Sequence, residues 1–151
     1  MHKQNGNDLY DALRLENQLC FPLYACSREI IKKYRPFLEE IDLTYTQYIT
    51  MMVLWSDKKI SVKELGSKLF LDSGTLTPVL KSLEGKGHIK RYRSSQDERI
   101  LLAEITPEGE SLREKALSIP QKIGCCITLG SDEAMELYRL LYKILGSCKE
   151  E

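Results

Sequence analysis

The sequence predicts a mainly α-helical chain with one small β-hairpin, and three observations carry that prediction. Apolar residues recur at helical spacing over most of the 151 residues. Ser61, the Asp72–Thr75 stretch and Thr106 supply capping chemistry just ahead of such patterns. Residues 88–105 break the period, with two short runs about a polar tip.

The elements follow in order. Residues 1–8 are polar and read as a mobile terminus. From Leu9 a helical pattern extends to about Lys33, with Leu13, Leu19, Leu23, Ile30 and Ile31 recurring at roughly helical spacing. Pro22 lies inside it. A proline removes a backbone donor and crowds the carbonyl four residues back, here that of Gln18, so a kink is expected. Pro36 marks a break or bend near the end of this helix. A linker, Glu39–Leu43, leads to a second helix near Thr46–Trp55, with Ile49, Met52 and Val53 as its core face. Met51, Met52 and Trp55 read as core or pocket lining. Ser61-Val62-Lys63-Glu64 has the form of a capping box, and Val62, Leu65 and Leu69 make one apolar stripe behind it. Asp72-Ser73-Gly74-Thr75 opens the next helix, whose buried stripe is Leu76, Val79, Leu80 and Leu83; Gly85 and Gly87 end it. Thr75, Thr77, Lys81 and Ser82 lie off that stripe and face outward.

His88–Arg93 and Arg99–Ile105 form the hairpin about Ser94-Ser95-Gln96-Asp97-Glu98. Thr106-Pro107-Glu108 then gives a cap, a proline at the first helical position and acid in the first turn. That helix passes Leu112, Ala116 and Ile119 to Pro120 and on toward Gly124. Gly130-Ser131-Asp132-Glu133 separates a last helix carrying Met135, Leu137, Leu140, Leu141, Ile144 and Leu145. It is apolar on more than one face, too much for a lone surface helix, so with the long first helix it is expected to form a dimer interface.

Helix, turn, helix and a basic hairpin make the plan of a winged helix-turn-helix, whose second helix fits the major groove of DNA. Lys86, Lys90, Arg91, Arg93 and Arg99 cluster beside that helix, placed to meet phosphates. The formal net charge is zero, from 22 basic and 22 acidic residues. Affinity for DNA must therefore come from local segregation: Lys86–Arg99 is basic, while Glu133, Glu136, Glu150 and Glu151 make the last third more acidic. One domain over 1–151 is expected, with 46–106 as the winged DNA-binding region and 9–35 and 107–148 as dimerisation helices. No signal peptide and no apolar run of about eighteen residues is seen, which points to a cytoplasmic protein without membrane contact. Five cysteines do not make a secreted disulfide framework. His2 and His88 show no ligand spacing, so neither a metal nor a cofactor is expected.

Asp97-Glu98-Arg99, followed by Thr106 and Gly109, resembles the wing of the multiple-antibiotic-resistance regulator (MarR) family. Leu71-Asp72-Ser73-Gly74-Thr75-Leu76-Thr77-Pro78 resembles the recognition-helix entry of that family's organic hydroperoxide regulators. The likeness spans about Leu15 to Leu145. It implies that Arg99 enters the minor groove with Asp97 helping to hold it, and that Ser73, Thr75, Thr77 and Lys81, with Lys90, Arg91 and Arg93, meet DNA. It also implies a dimer held by the first and last two helices, on a pseudo-palindromic double-stranded operator.

Leu19-Cys20-Phe21, Tyr34 and Tyr45 match that group's peroxide-reactive cysteine and its two tyrosine partners. By local sequence alone Cys20 reads as an inert packing residue; the resemblance makes it the sensor. A thiol attacks peroxide only as thiolate, and free cysteine is mostly protonated near neutral pH, so donors aimed at sulfur are required. Phenol hydroxyls supply them without adding charge to an apolar pocket. Pro22 departs from the pattern and puts the local geometry in question. Some members carry a resolving cysteine near the junction of the last two helices, where Cys125 and Cys126 stand. Cys26 reads as packing and Cys148 as incidental. The expectation is a repressor that senses organic hydroperoxides through Cys20 and then releases its operator; the resemblance implies a nearby peroxide-detoxifying gene as its target. The alternatives are a MarR-type regulator answering to a small aromatic ligand, a broader thiol-based redox regulator, and, in another class, a thiol peroxidase. The last lacks a Cys-x-x-Cys motif in a βαβ setting.

Overall fold

Four side chains set where helices begin. Thr44 Oγ1 accepts the Gln47 N–H at 3.3 Å while Gln47 Oε1 accepts the Thr44 N–H at 3.0 Å. Ser61 and Glu64 reciprocate likewise, at 3.2 and 3.3 Å. Asp72 Oδ1 accepts the Thr75 N–H at 2.8 Å, and Thr106 Oγ1 the Gly109 N–H at 3.1 Å. The computed structural model describes residues 9–148. After two short 3₁₀ turns come α1 (Cys20–Glu39), α2 (Tyr45–Asp57), β1 (Lys59–Ser61), α3 (Val62–Leu69) and α4 (Ser73–Gly85). Then follow β2 (Ile89–Arg93), β3 (Leu101–Ile105), α5 (Pro107–Ala116), α6 (Ile119–Gly124) and α7 (Ser131–Ser147). The chain falls into two compact units, one up to Ile119 and one from Pro120.

In the first unit α2, α3 and α4 meet on Met51, Leu54, Leu65, Leu76, Leu80 and Leu83, all essentially inaccessible to water. Each such side chain contributes about 1.5–3 kcal/mol relative to exposure. An antiparallel sheet of order β1-β3-β2 closes one side, with Ile60 and Arg91 both opposite the buried Ala103. The wing is rooted tightly. Gly87 takes φ +77° at the turn out of α4. Gly109 lies so close to the His88 carbonyl that a Cβ there would sit 2.1 Å from its oxygen. Trp55 Nε1 donates to the Gly109 carbonyl at 2.8 Å and ties α2 to the start of α5. In the second unit α7 buries none of its residues: Met135, Tyr138 and Tyr142 are exposed, and Leu137, Leu140 and Ile144 are each more than a third accessible.

Several expectations need correction. The first helix does not run from Leu9. Residues 11–17 form 3₁₀ turns, and α1 starts at Cys20, two residues before Pro22. A proline in the first turn lacks only a donor that has no intrahelical partner, so Pro22 starts this helix rather than kinking it, and its clash with residue 18 blocks extension upstream. Pro36 does not end the helix, which continues to Glu39; the reversal comes at Asp42, φ 52°, where Leu43 N–H reaches back to the Leu38 carbonyl at 3.0 Å. The core face of α2 is Tyr48, Met51, Leu54 and Trp55, with Gln47 and Thr50, while Met52 is 46% exposed. Strand β1 was not foreseen, because three residues are too few to show alternation. The helix after the wing breaks at 117–118, since Pro120 cannot donate to the carbonyl of Ala116. The stretch at Gly130 caps α7, Glu133 Oε2 accepting the Gly130 N–H at 2.8 Å. Residues 1–8, expected to be mobile, with His2, Glu150 and Glu151, lie outside the described residues.

Candidate nucleic-acid interface and thiol site

On the recognition helix α4, Ser73, Thr75 and Lys81 are exposed and Thr77 is partly so. Thr75 Oγ1 donates to Asp72 Oδ2 at 3.1 Å and Thr77 Oγ1 to the Ser73 carbonyl at 2.7 Å, leaving oxygen lone pairs directed outward. At the wing tip the Ser94 N–H meets the Ile100 carbonyl at 2.8 Å and the Ile100 N–H meets the Asp97 carbonyl at 2.9 Å. Asp97 holds Arg99 by three bonds: Oδ1 accepts the Arg99 N–H at 3.0 Å and Nε–H at 3.1 Å, and Oδ2 accepts from Nη2 at 3.1 Å. These bonds hold the Asp97 carboxyl below its ordinary range. The Arg99 side chain is 91% exposed, so its fork is aimed but not covered.

The other basic residues differ in what engages them. Lys90 reaches Glu104 at 3.5 Å and lies over the Tyr92 ring, whose hydroxyl donates to the same carboxylate. Arg93 Nη1 donates to the Arg99 carbonyl at 3.2 Å, bracing the wing loop. Arg91 is turned inward. Its Nη2 and Nε donate to Glu84 Oε2 at 2.7 and 3.1 Å, and its backbone N–H to Glu84 Oε1 at 2.9 Å. The Arg91 bonds hold the Glu84 carboxyl low and clamp the root of the wing to α4. Sequence spacing gave no cue to this partner, because Glu84 sits on α4 among residues read only for their apolar stripe.

Cys20 is the first residue of α1 and is exposed. Tyr34 and Tyr45 are brought together, ring centroids 4.9 Å apart, with Tyr48 at 5.9 Å from Tyr34 and 6.5 Å from Tyr45. Burial, then the neighbouring Tyr45 and Tyr48, pushes Tyr34 up to about 12; burial also raises Tyr45 and Tyr48. All three phenols are therefore O–H donors across the physiological range. The structure does not bring Cys20 to them within one chain. On one continuous helix, at about 1.5 Å per residue, Tyr34 lies roughly 21 Å along the axis from Cys20. Cys125 and Cys126 lie in the turn after α6, both exposed, and the Cys126 thiol meets the Lys122 carbonyl at 3.3 Å. Among the described residues no group of three or more potential ligands could hold a metal ion, and no helix is long and apolar enough to cross a membrane.

Residues 30–116 match the family described as transcriptional regulator SarA/Rot. A mutant MarR of E. coli, solved with operator DNA, superposes with a TM-score of 0.79 at 25% identity, covering 92% of this chain and 99% of that one. The organic hydroperoxide resistance transcriptional regulator of Bacillus subtilis (strain 168) is 45% identical over 142 residues, 94% of this chain and 97% of its own length. This chain belongs to the MarR-type transcriptional regulators, in their organic hydroperoxide resistance group. The regulator is also similar to AbfR of Staphylococcus epidermidis. The reduced, DNA-bound form of AbfR is 33% identical with a TM-score of 0.74, over 93% of this chain and 99% of that one. Its disulfide form is 32% identical with a TM-score of 0.65, over 93% and 96%.

Proposed function

We propose that this regulator is a homodimeric repressor that holds a pseudo-palindromic operator while Cys20 is reduced and releases it once an organic hydroperoxide has oxidised that thiol. The carrying observation is the cluster of Tyr34, Tyr45 and Tyr48, three neighbouring phenols whose hydroxyls are protonated near neutral pH and are shifted further that way by burial. Such donors stabilise a thiolate without bringing a competing charge. Tyr34, against which Tyr45 and Tyr48 of α2 pack, stands too far along α1 to serve the Cys20 of its own chain, so the reading requires a second copy, whose tyrosines meet this chain's thiol. The exposed apolar residues of α1 and α7 supply the surface for that copy.

The chemistry is a two-electron transfer. The Cys20 thiolate attacks one peroxide oxygen, the O–O bond breaks, sulfur becomes sulfenic acid, and the alkoxide leaves as alcohol after taking a proton from a phenol or water. The sulfenic acid then condenses with a second thiol, Cys125 or Cys126 in this reading, releasing water and forming a disulfide. On the DNA side α4 presents Ser73, Thr75, Thr77 and Lys81 to the major groove, Arg99 enters the minor groove braced by Asp97, and Lys90 meets phosphate. Arg93 and Arg91 hold the wing in shape, Arg91 through Glu84. The matched relatives are transcriptional regulators, and in this reading peroxide is the signal.

A gel-shift series tests the proposal. Reduced protein binds its operator, one equivalent of cumene hydroperoxide releases it, hydrogen peroxide acts more slowly, and Cys20→Ser stays bound throughout. Release from the Cys20→Ser variant at the wild-type rate would overturn the assignment.

A further inference from the structure

Between the tyrosine cluster and the recognition helix lies one buried amide. Gln47 is 6% exposed and sits two residues after Tyr45 and one before Tyr48 on the first turn of α2. Its two ends do different things. Oε1 accepts the Thr44 N–H at 3.0 Å, completing the α2 cap, and also receives Lys86 Nζ at 3.3 Å. Nε2 donates to Ser82 Oγ on α4 at 2.9 Å. Lys86, just past the end of α4, reaches on to the Asp42 carbonyl and, at 3.2 Å, to its carboxylate. Side-chain bonds from the 42–47 segment to the recognition helix thus converge on Ser82 and Lys86, and Gln47 takes part at both.

We infer that Gln47 is a positioning residue that passes the state of the Tyr34–Tyr45 pair to α4, with Ser82 as its receiver. The amide is planar, so its oxygen end cannot move without carrying its nitrogen end. Tyr45 is the first residue of α2, and its ring rests on Tyr34. If the rings shift when the thiol they serve becomes a sulfenic acid or disulfide, the first turn of α2 and its cap shift with them. Ser82 then loses its partner or follows it. Either outcome changes the pose of α4, and a change that favours one pose over the other is what oxidation must supply to alter operator affinity. The link from Trp55 to the Gly109 carbonyl lies more than two turns further along α2, beyond the tyrosines, and is separate from this route.

This inference rests on the redox reading above, and the test separates the two. Operator dissociation constants are measured for reduced and for peroxide-treated protein, and their ratio is the quantity compared. Ser82→Ala leaves the α2 cap and Lys86 in place and suits a helix. It should cut the ratio at least about fivefold, the lower end of common coupling strengths. Gln47→Met should cut it by the same factor, and the double variant no further, because one link is being broken twice. Gln47→Glu should restore the ratio, since its carboxylate can accept from both Thr44 N–H and the Ser82 hydroxyl. The rate of Cys20 oxidation, followed by thiol loss, should be unchanged in all of them, which a general loosening of the fold would not predict. A wild-type ratio in both Ser82→Ala and Gln47→Met overturns the inference while leaving the redox reading intact. A wild type that keeps its operator on oxidation overturns both.

Discussion

At the scale of single residues, the proposed thiol chemistry calls on phenol hydroxyls, and the root of the wing holds an imidazole with a buried nitrogen. Tyr34→Phe and Tyr45→Phe each delete one donor and almost no volume, so the core around Tyr48 and Trp55 should survive. Stopped-flow measurement of thiol loss against cumene hydroperoxide should show slower reaction in each variant, with operator binding by the reduced protein retained; unchanged rates in the double variant would exclude the phenols as donors. His88 gives a pH dependence of stability. Its Nδ1 is buried without a hydrogen-bond partner. Burial, helped by the Lys86 charge and opposed by Asp42 and Glu108, holds the imidazole below its ordinary value. The unfolded chain therefore takes up this proton first as pH falls. Stability is full above about 6.5 and declines below it. Urea midpoints between pH 7.5 and 5.5 should fall more steeply in wild type than in His88→Gln. Two pairings at this scale are legible in the sequence by resemblance: Tyr34 lies against Tyr45, and Asp97 and Arg99 are held together. Gln47 and Glu84 were not legible, because each bonds to a residue on another element and only folding reveals it.

Among the elements, the recognition helix and wing act as one body because Arg91 and Glu84 join them. Arg99→Ala, at a side chain that is 91% exposed, should leave folding alone and weaken operator binding by about 1–3 kcal/mol. Lys90→Ala should weaken all sequences alike and flatten the salt dependence by about one counterion. Glu84→Gln makes a sharper case. Removing a negative charge near DNA should by Coulomb's law strengthen binding. If instead it weakens binding, to the same extent as Arg91→Ala and with no further loss in the double variant, the wing's placement is what the pair supplies. Fluorescence anisotropy on a labelled operator reads both sign and additivity. Elements whose caps are written locally, at Ser61, Asp72 and Thr106, were legible to within a residue or two. Misreadings fell where proline was judged by sequence position alone. Pro22 blocks a helix upstream and starts one, and Pro36, one turn before the end of α1, forgoes the N–H bond to the Lys32 carbonyl without ending the helix. The face of α2 was misjudged because that helix meets α3, α4 and α5 on different sides, so no single stripe marks its buried residues.

For the whole molecule, the exposed apolar residues of α1 and α7 and the length of α1 lead to the same requirement. Leu19 at the cap of α1, Phe21 and Tyr24 on that helix, and Met135, Tyr138 and Tyr142 on α7, are far more exposed than an isolated chain would favour. In the proposed homodimer a second copy covers such surfaces, and it also brings its tyrosines to a thiol that lies roughly 21 Å along the helix from Tyr34 of its own chain. The pattern of the last helix points to an interface, whereas the proposal that thiol and tyrosines meet across two chains rests on α1 being continuous from Cys20 to Tyr34. Mixed dimers test it. One chain carries Cys20→Ser and keeps its tyrosines; the other keeps Cys20 and carries Tyr34→Phe with Tyr45→Phe. Purified through two different tags, the mixed dimer has one Cys20 thiol, and in the crossed arrangement that thiol faces intact tyrosines from the other chain. It should react with cumene hydroperoxide at the wild-type rate, for one equivalent per dimer. The Tyr-deleted homodimer should react slowly and the Cys20→Ser homodimer should not react at this site. If thiol and tyrosines belonged to one chain, the mixed dimer would have no complete site and would react at the slow rate of the Tyr-deleted homodimer. That result would refute the crossed arrangement.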